Sequence, residues 1–221
     1  MRPASAARVA SLLLSAVLAL PSPATALPPP TPSPRGPQPL SAAAYEPNLP
    51  LVTHEGRAVR FYDDLIKNRV AIINFMFTSC PSICPPMTQN LVKVQKLLAD
   101  VLGERAVMIS ISVDPDNDTP EVLAAYARRF GVGRGWYFVT GERPQLEALA
   151  AKLGNTSPDK LQHSGMVLIG SDAARTWTKA FAMSPPEDIA RKVREFLALK
   201  PAAPAAPAPV APPPPAARPA P

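Results

Sequence analysis

Apolar residues in the middle of the chain form short runs that are typical of β-strands. Residues 70–77 and 106–113 are long, mostly apolar runs rich in β-formers, and such runs are typical of strands that are covered on both faces of a sheet. The other predicted strands are shorter and border turns: residues 49–53, 58–62, 136–140, 166–170 and 176–181. The first two of these form one predicted β-hairpin, and the last two form another.

A helical repeat of apolar residues follows the first buried strand. Apolar side chains recur three or four residues apart over residues 86–102, which predicts an amphipathic helix that packs on the sheet. Thr119 is a predicted N-cap, with Pro120 as the first position of a second helix that reaches residue 130. Two more helices are expected over residues 143–153 and 186–199.

The order of these elements is a βαβ half followed by a ββα half, with one hairpin ahead of both. Such an alternation is typical of α/β proteins in which helices cover a largely parallel sheet. We therefore predict an α/β protein with a thioredoxin-like fold and an N-terminal β-hairpin extension, built from residues 44–199.

The first 26 residues are typical of a secretory signal peptide. Two arginines precede an apolar run over residues 9–20. Ala-Thr-Ala over residues 24–26 then forms the small-x-small pattern of a cleavage site. A transmembrane anchor is the alternative, but the run of about a dozen residues is shorter than the roughly 20 needed to cross a bilayer. We expect an exported, periplasmic protein that is soluble and has no membrane span after cleavage.

Proline content separates two more segments from the folded part of the chain. The 221 residues include 31 prolines, and most of them lie near the two ends. Residues 27–43 are predicted to be a Pro-rich flexible linker. Residues 200–221 are nearly all Ala and Pro, a composition that cannot bury enough apolar surface to fold, so a disordered tail is expected.

Charge and cysteine content narrow the class of function. The net charge of +6 falls to +4 without residues 1–26, which hold two arginines and no Asp or Glu. The basic residues are scattered among acidic ones, so nucleic acid is not expected as a partner. The chain has two cysteines, both in the exported part, where a bare thiol pair forms a disulfide unless a metal or a reductant intervenes.

These cysteines, Cys80 and Cys84, form a C-x-x-x-C motif between the first buried strand and the helix after it. Ligands of open α/β sheets bind beyond the carboxyl ends of the strands, and a helix N-terminus favours the thiolate form of a nearby cysteine. We expect both cysteines to be reactive. The spacing is compatible with a redox-active disulfide pair and with two sulfur ligands that converge on one metal ion.

Two thiolates leave room for a third metal ligand, and the chain has two histidines. His54 lies in a predicted hairpin turn and is expected to be an exposed turn residue. His163 comes just before the strand predicted to start at residue 166, beside the predicted end of the cysteine helix, and is the favoured imidazole ligand. Thiolates with an imidazole suit copper, with zinc as a competitor.

Other candidate residues lie close to the motif. Asp114 ends the second buried strand, and two roles are equally open to it. The first is to support the metal ligands from outside their coordination shell or to contact a partner, and the second is to stabilise the turn before Pro115. Asp118 is expected to be a turn or capping residue. Three methionines offer thioether ligands, but packing is the favoured role for each: Met76, Met87 and Met166.

Three stretches together resemble the signatures of one family. TSCPSICPPM, SVDPDNDTPE and QHSGM, in this order, are similar to those of the Sco (SenC-type) copper chaperones. The resemblance implies a copper site made by Cys80, Cys84 and His163, and a role in delivering copper to, or reducing the thiols of, the binuclear copper centre of cytochrome c oxidase. It implies two kinds of partner: the copper-centre subunit of that oxidase, and a thiol reductant or other copper carrier.

The chain departs from the family pattern at two places. Gln162 stands where Sco proteins commonly have Asp, and residues 154–162 form a shorter loop than is usual. The main alternative function is a thiol-disulfide oxidoreductase that acts on partner cysteines and has no need of His163. A peroxidase is disfavoured because the peroxiredoxin pattern of Pro and Thr ahead of the reactive Cys does not fit either cysteine. A structural disulfide is the remaining alternative.

Overall fold

The computed structural model describes residues 48–155 and 165–201. The predicted signal peptide and linker, His163, and the tail from residue 202 onward lie outside the described residues. The chain divides into two units, Met1–Arg35 and Gly36–Pro221, of which the first contains no described residue.

A seven-stranded mixed sheet forms the centre of the described fold, in the order β2-β1-β5-β4-β3-β6-β7. Its strands are β1 (Pro50–Thr53), β2 (Ala58–Arg60), β3 (Val70–Met76), β4 (Ala106–Ser112), β5 (Trp136–Thr140), β6 (Met166–Ser171) and β7 (Thr176–Phe181). Strands β3, β4 and β5 are parallel, while β1 and β6 pair with them in antiparallel fashion. The predicted thioredoxin-like fold with an N-terminal hairpin is confirmed.

Within the described residues, four α-helices cover the sheet: α1 (Cys84–Leu97), α2 (Pro120–Phe130), α3 (Arg143–Lys152) and α4 (Pro186–Leu197). Apolar side chains of α1, α2 and α4 share one buried cluster with one face of the sheet. Side chains of α3 share a second cluster with the opposite face. All residues of β3 and β4 are buried, as expected of strands covered on both sides.

The first hairpin ends earlier than predicted. Strand β2 stops at Arg60 and a π-helix, Phe61–Ile66, replaces the end of the expected strand. The Asp64 carboxylate accepts a hydrogen bond of 2.6 Å from the Arg60 backbone N–H, which closes the first turn locally. Phe61, Leu65 and Ile66 are buried in the α3-side cluster. Burial of three large side chains on one side favours the helical turn over a continued strand.

Helix α1 starts two residues earlier than predicted and ends five residues earlier. It begins at Cys84 because proline is well accommodated in the first turn, where backbone N–H groups have no helical partner. It ends at Leu97, and the predicted apolar positions Leu98 and Val101 are buried in the turns that follow. Their burial explains why they continue the helical pattern beyond the end of the helix.

The remaining elements agree with the predictions to within two residues. Thr119 caps α2, and its hydroxyl accepts a hydrogen bond from the Val122 N–H. Helix α2 ends at Phe130 and is capped by Gly131, whose φ of 72° lies in the left-handed region that favours glycine. Among the helices of the described residues, none is both long enough and apolar enough to cross a bilayer.

Candidate metal and thiol site

The cysteine motif lies at the carboxyl end of β3, in a loop that leads into α1. The Cys80 backbone N–H donates to the Phe77 carbonyl at 3.3 Å, and the Met87 N–H donates to the Ile83 carbonyl at 3.0 Å. Cys80 is 6% exposed and Cys84 is fully buried at the first position of α1. The two sulfurs are not joined in a disulfide in this structure.

Cys80 lies at the amino end of α1, where backbone N–H groups have no helical partner. The Cys84 N–H donates a hydrogen bond to the Cys80 sulfur at 3.4 Å. Burial alone would raise the pKa of Cys80, but hydrogen bonds from the Cys84 thiol and from the N–H groups of Ser82, Cys84 and Ile83 outweigh it and lower that pKa. Cys80 is therefore the sulfur that ionises first.

Cys84 has the opposite character. Burial raises the pKa of its thiol to about 12, and the thiol hydrogen bond to Cys80 and the negative charges of Cys80 and Asp118 act in the same direction. A backbone hydrogen bond from Phe77 opposes them. The motif thus pairs a cysteine with a lowered pKa, Cys80, with a fully buried thiol, Cys84, whose loss of a proton is favoured when a metal or a covalent partner compensates it.

Asp118 connects the loops that follow β3 and β4. Its carboxylate is fully buried and accepts hydrogen bonds from the backbone N–H and the hydroxyl of Thr78, and from the Ser112 hydroxyl at 2.6 Å. Its backbone N–H donates to the Asp114 carbonyl at 2.9 Å, as in the expected turn, but its side chain does more than stabilise that turn. Asp118 holds the start of the cysteine loop against the neighbouring strand, and its charge is close enough to act on Cys84.

Asp114 is a turn residue in this structure. Its carboxylate accepts from the Asn117 side chain at 3.1 Å, and its carbonyl accepts from the N–H groups of Asn117 and Asp118. Its own N–H donates to Ser112 at 3.0 Å. These contacts correspond to the turn-stabilising alternative, while a role toward a partner stays a prediction.

His54 is half-buried, so the expectation of an exposed turn residue is wrong. The Phe138 N–H donates to its Nδ1 at 3.2 Å, and the two rings meet edge to face. Burial lowers the pKa of His54, although the negative charge of Glu55 opposes this. Because Nδ1 accepts a hydrogen bond, the neutral ring carries its proton on Nε2 and offers no free lone pair to a metal.

Two of the three predicted metal ligands are described, and they lie together. His163 lies outside the described residues. Within residues 48–155 and 165–201, no group of three or more His, Cys, Asp or Glu side chains could hold a metal ion. Met76 and Met87 are buried in the same apolar cluster as both cysteines, which agrees with the packing role expected of them. Met166 is partly buried.

Residues 37–198 match the protein-family model described as SCO1/SenC. The chain belongs to the SCO1/SenC family. This family assignment confirms the resemblance seen in the three sequence stretches, each of which falls within the matched residues.

Similar proteins agree with the assignment to the SCO1/SenC family. The SCO1 protein homolog of Bacillus subtilis is 39% identical over 90 residues, which are 39% of this chain and 46% of that protein. A Stutzerimonas stutzeri protein described as copper-binding is 31% identical over 58% of this chain and 65% of its own length. The chain therefore spans about half to two thirds of these curated relatives.

A solved structure supports the same family. BsSco, a member of the Sco family of cytochrome c oxidase assembly proteins in which a disulfide switch was identified, superposes with a TM-score of 0.58 at 28% identity. The superposition covers 69% of this chain and 92% of BsSco.

Two residues that contact the Cys84 end of α1, Thr88 and Tyr126, were not predicted from the sequence. The Thr88 hydroxyl donates to the Cys84 carbonyl at 2.8 Å and lies 3.0 Å from the Tyr126 hydroxyl. Burial raises the pKa of Tyr126 to about 12, so it remains a neutral donor to Thr88. The sequence signal for Thr88 was a polar residue four positions after Cys84, at a position that falls on the apolar face of the predicted helix.

Proposed function

We propose that this SCO1/SenC protein binds one copper ion through Cys80, Cys84 and His163 and carries it to the binuclear copper centre of cytochrome c oxidase. The observation that supports this most directly concerns Gly165, two residues after His163. An added Cβ atom at Gly165 would lie only 2.7 Å from Cδ1 of Ile83, the residue before Cys84. The chain therefore returns from the His163 segment directly beside the cysteine loop.

The chemistry of the two described sulfurs favours a soft metal ion as cargo. Thiolate and imidazole ligands suit copper, and two sulfurs with one nitrogen suit it better than they suit a hard cation. Cys80 is poised as the first ligand because its pKa is lowered. The high pKa of Cys84 means that copper displaces its proton on binding, so binding releases a proton and weakens as the pH falls.

Similar proteins support both copper binding and a role in assembly of cytochrome c oxidase. The Stutzerimonas relative is described as copper-binding, and BsSco belongs to the cytochrome c oxidase assembly proteins. We extend these properties to this chain as part of the proposal. Its partners would be the copper-centre subunit of the oxidase and a thiol reductant or other copper carrier.

A thiol-disulfide oxidoreductase is the second candidate, favoured by the unequal pKa values of the two cysteines. The Cys80 thiolate would attack a partner disulfide, forming a mixed disulfide and releasing one partner thiolate. Cys84 would then give up its proton and attack the Cys80 sulfur, which forms the Cys80–Cys84 disulfide and releases the second partner thiol. Two electrons pass to the partner, and an external thiol reductant restores the pair.

The site of action would be the periplasm. Residues 1–26 would direct export and be cleaved, residues 27–43 would act as a linker, and residues 200–221 as a tail. Mass spectrometry of the protein recovered from a periplasmic fraction tests this. A mature form that starts at residue 27 is expected, whereas an uncleaved cytoplasmic protein would contradict export.

Copper titration against a competing chelator tests the ligand set. The reduced protein is expected to bind one copper per chain, and Cys80→Ser, Cys84→Ser and His163→Ala should each weaken binding. His54→Ala is the matched control, because its Nδ1 is occupied by the Phe138 N–H. Full affinity in either serine variant would reject the copper site.

A transfer assay separates delivery from thiol reduction. Copper-loaded protein is mixed with the metal-free copper-centre domain of the oxidase subunit, whose two site cysteines are either reduced or oxidised. Delivery predicts that the absorption of the binuclear centre appears with the reduced partner. If the metal-free protein instead reduces the oxidised partner and the loaded protein transfers no copper, the oxidoreductase is the better description.

A further inference from the structure

Two exposed apolar side chains lie at the same edge of the sheet as the cysteine loop. Phe181 is 48% exposed at the end of β7, and Met183 is 39% exposed in the turn that follows. Strand β6 runs antiparallel to β3, and β7 runs antiparallel to β6, so β7 ends at the edge of the sheet where the cysteine motif begins. Large apolar side chains that are exposed together commonly mark a surface that contacts another molecule.

Phe181 adjoins the cysteine loop through Ile83. Cε2 of Phe181 and Cδ1 of Ile83 lie 3.1 Å and 2.7 Å from the position that a Cβ atom on Gly165 would take, so the two side chains are neighbours. Ile83 is half-buried, and its backbone N–H binds the Cys80 sulfur. Together with two exposed prolines of the cysteine loop and the first turn of α1, these side chains form a group that we call the thiol-side patch: Pro81, Ile83, Pro86, Phe181 and Met183.

The backbone of the turn after β7 is fixed to helix α1. The Asn90 side chain, on α1, donates hydrogen bonds to the carbonyls of Ala182 and Ser184 at 2.8 Å each. The Ala182 N–H also donates to the Gly165 carbonyl at 2.8 Å. The turn is therefore held beside the helix that begins at the second cysteine, while a methionine side chain adapts readily to the surface that it meets.

The segments that form the thiol-side patch carry no charge. Residues 78–92 and 180–186 contain no Asp, Glu, Lys or Arg. A charged group of a partner that was buried on the patch would lose its water without gaining an ionic partner, which is costly. The patch therefore suits an uncharged, apolar surface, and aromatic residues and methionine are enriched in contacts of this kind.

The position of Cys80 indicates which part of a partner meets the patch. Cys80 is only 6% exposed, and a metal–thiolate bond is about 2.3 Å long, with zinc as the guide. A partner sulfur that shares a copper ion with Cys80 must therefore come down onto the residues around it. A protruding loop can do so, and the residues next to its cysteine then cover the patch.

We propose that the thiol-side patch is the docking surface for an uncharged, apolar loop of the partner protein that carries the copper-accepting cysteine. The inference rests on the proposed function and deepens it by naming the kind of partner segment that the site accepts. Phe181 and Met183 contribute to the rate of copper transfer to a protein partner, but not to the affinity for the metal.

Glutamine substitutions test the patch without changing the charge near the thiols. Phe181→Gln, Met183→Gln and the double variant place uncharged polar side chains on the patch, while Phe181→Leu keeps an apolar one. Leu97→Gln is the matched control, because Leu97 is 40% exposed at the opposite end of α1. The 14-residue helix separates it from Cys84 by about 20 Å.

The copper-loaded, full mature protein is mixed with the metal-free, reduced copper-centre domain of the oxidase subunit below saturation, and the rate of transfer is measured. The double variant should transfer about tenfold more slowly, as is typical when interface residues are replaced. Each single glutamine variant should lose about threefold, and Phe181→Leu and Leu97→Gln should stay within about twofold of the parent. Copper affinity and the rate of copper loss to glutathione, a thiol too small to cover the patch, should not change.

A parent-like transfer rate in the double variant, or an equal loss in Leu97→Gln, would overturn the inference. A fall in copper affinity in both single glutamine variants would also overturn it, because the two side chains would then serve the metal site itself. If Phe181→Gln does not fold, Met183→Gln decides with its own threefold loss.

Other occupants of the patch are separated by two measurements on the parent and the double variant. Sedimentation that shows a dimeric parent and a monomeric variant would assign the patch to a second copy of this chain. Binding of the parent alone to phosphatidylglycerol vesicles would assign it to a lipid surface. Either result overturns the inference.

Failure of the proposed function gives a different result from failure of the docking surface. A parent that binds copper but transfers none to the reduced domain overturns the docking inference. If the parent binds no copper, the proposed function fails. The rate at which its dithiol reduces the oxidised copper-centre domain then tests the patch, with the same tenfold loss expected in the double variant and an unchanged rate contradicting it.

Discussion

The Cys84 backbone N–H donates a hydrogen bond of 3.4 Å to the Cys80 sulfur. It joins the first residue of α1 to the thiol four positions earlier, at the end of the helix where backbone N–H groups have no helical partner. The same helix start buries Cys84 completely. One local arrangement therefore lowers the pKa of one cysteine and raises that of the other.

Alkylation of single-cysteine variants should reveal this asymmetry. In Cys84→Ser the serine hydroxyl still donates to Cys80, so Cys80 should react at a lower pH than an ordinary thiol, because its thiolate forms at lower pH. In Cys84→Ala that donor is missing, and the pH profile of Cys80 should move upward. The measurement is the iodoacetamide rate constant from pH 5 to 10. Identical profiles in the two variants would contradict the role of the side-chain hydrogen bond.

In Cys80→Ser, Cys84 should remain almost unreactive up to about pH 10, because burial dominates its raised pKa of about 12. Unfolding in guanidinium chloride serves as the control and should restore the ordinary thiol profile. A profile with an ordinary midpoint in the native variant would show that Cys84 is accessible to the reagent.

Asp118→Asn should destabilise the domain by about 1–3 kcal/mol, because an amide cannot accept from Thr78 and Ser112 as the carboxylate does and leaves buried polar groups unsatisfied. It should also lower the pKa of Cys84, since a negative charge that raises it is removed. Urea unfolding and the alkylation profile of Cys84 measure the two effects. Asp116→Asn is the control: Asp116 is an exposed neighbour in the same loop whose carboxylate pairs with Arg143 at the surface, so its loss should cost less than about 1 kcal/mol.

Folding stability should fall as the pH drops below neutrality. Burial lowers the pKa of His54 below its usual 6.5, so near that pH the unfolded chain binds a proton that the folded protein does not. Stability is therefore fully present above pH 6.5 and is lost as the pH falls through 6.5 toward the lower folded pKa. Melting temperatures of the reduced, metal-free protein between pH 7.5 and 5 test the sign.

His54→Asn should flatten this pH dependence, since its side-chain oxygen can still accept from the Phe138 N–H but does not titrate. The same measurement on His163→Ala separates the two histidines of the chain. If the pH dependence of the melting temperature remains in His54→Asn and disappears in His163→Ala, then His163 and not His54 causes it, and the prediction is wrong.

Removal of residues 201–221 should leave both the melting temperature and copper affinity unchanged. Helix α4 ends at Leu197, and a segment made almost entirely of Ala and Pro cannot bury enough surface to contribute a core. Differential scanning calorimetry and chelator competition on the full and shortened chains provide the comparison. A fall of several degrees would show that the tail packs on the domain.

The elements and their order could be predicted from the sequence, because hydrophobic periodicity is a local property. The apolar runs of β3 and β4, the Thr119 cap and the C-x-x-x-C motif can each be identified from a few adjacent residues. Their combination was enough to predict the thioredoxin-like fold and the two thiols at the carboxyl end of a central strand. Capping and turn chemistry likewise placed most boundaries within two residues.

The surroundings of the thiols depend on contacts between residues that are distant in the sequence. Asp118 had the appearance of an ordinary turn residue, yet it is buried because two parallel strands bring Thr78 and Ser112 to the same carboxylate. His54 was expected to be exposed, but β5 lies alongside its turn and supplies the Phe138 N–H. Gly165 lies beside Ile83, the residue before Cys84, although the two are far apart in the chain. These contacts join residues far apart in sequence, so no local pattern encodes them.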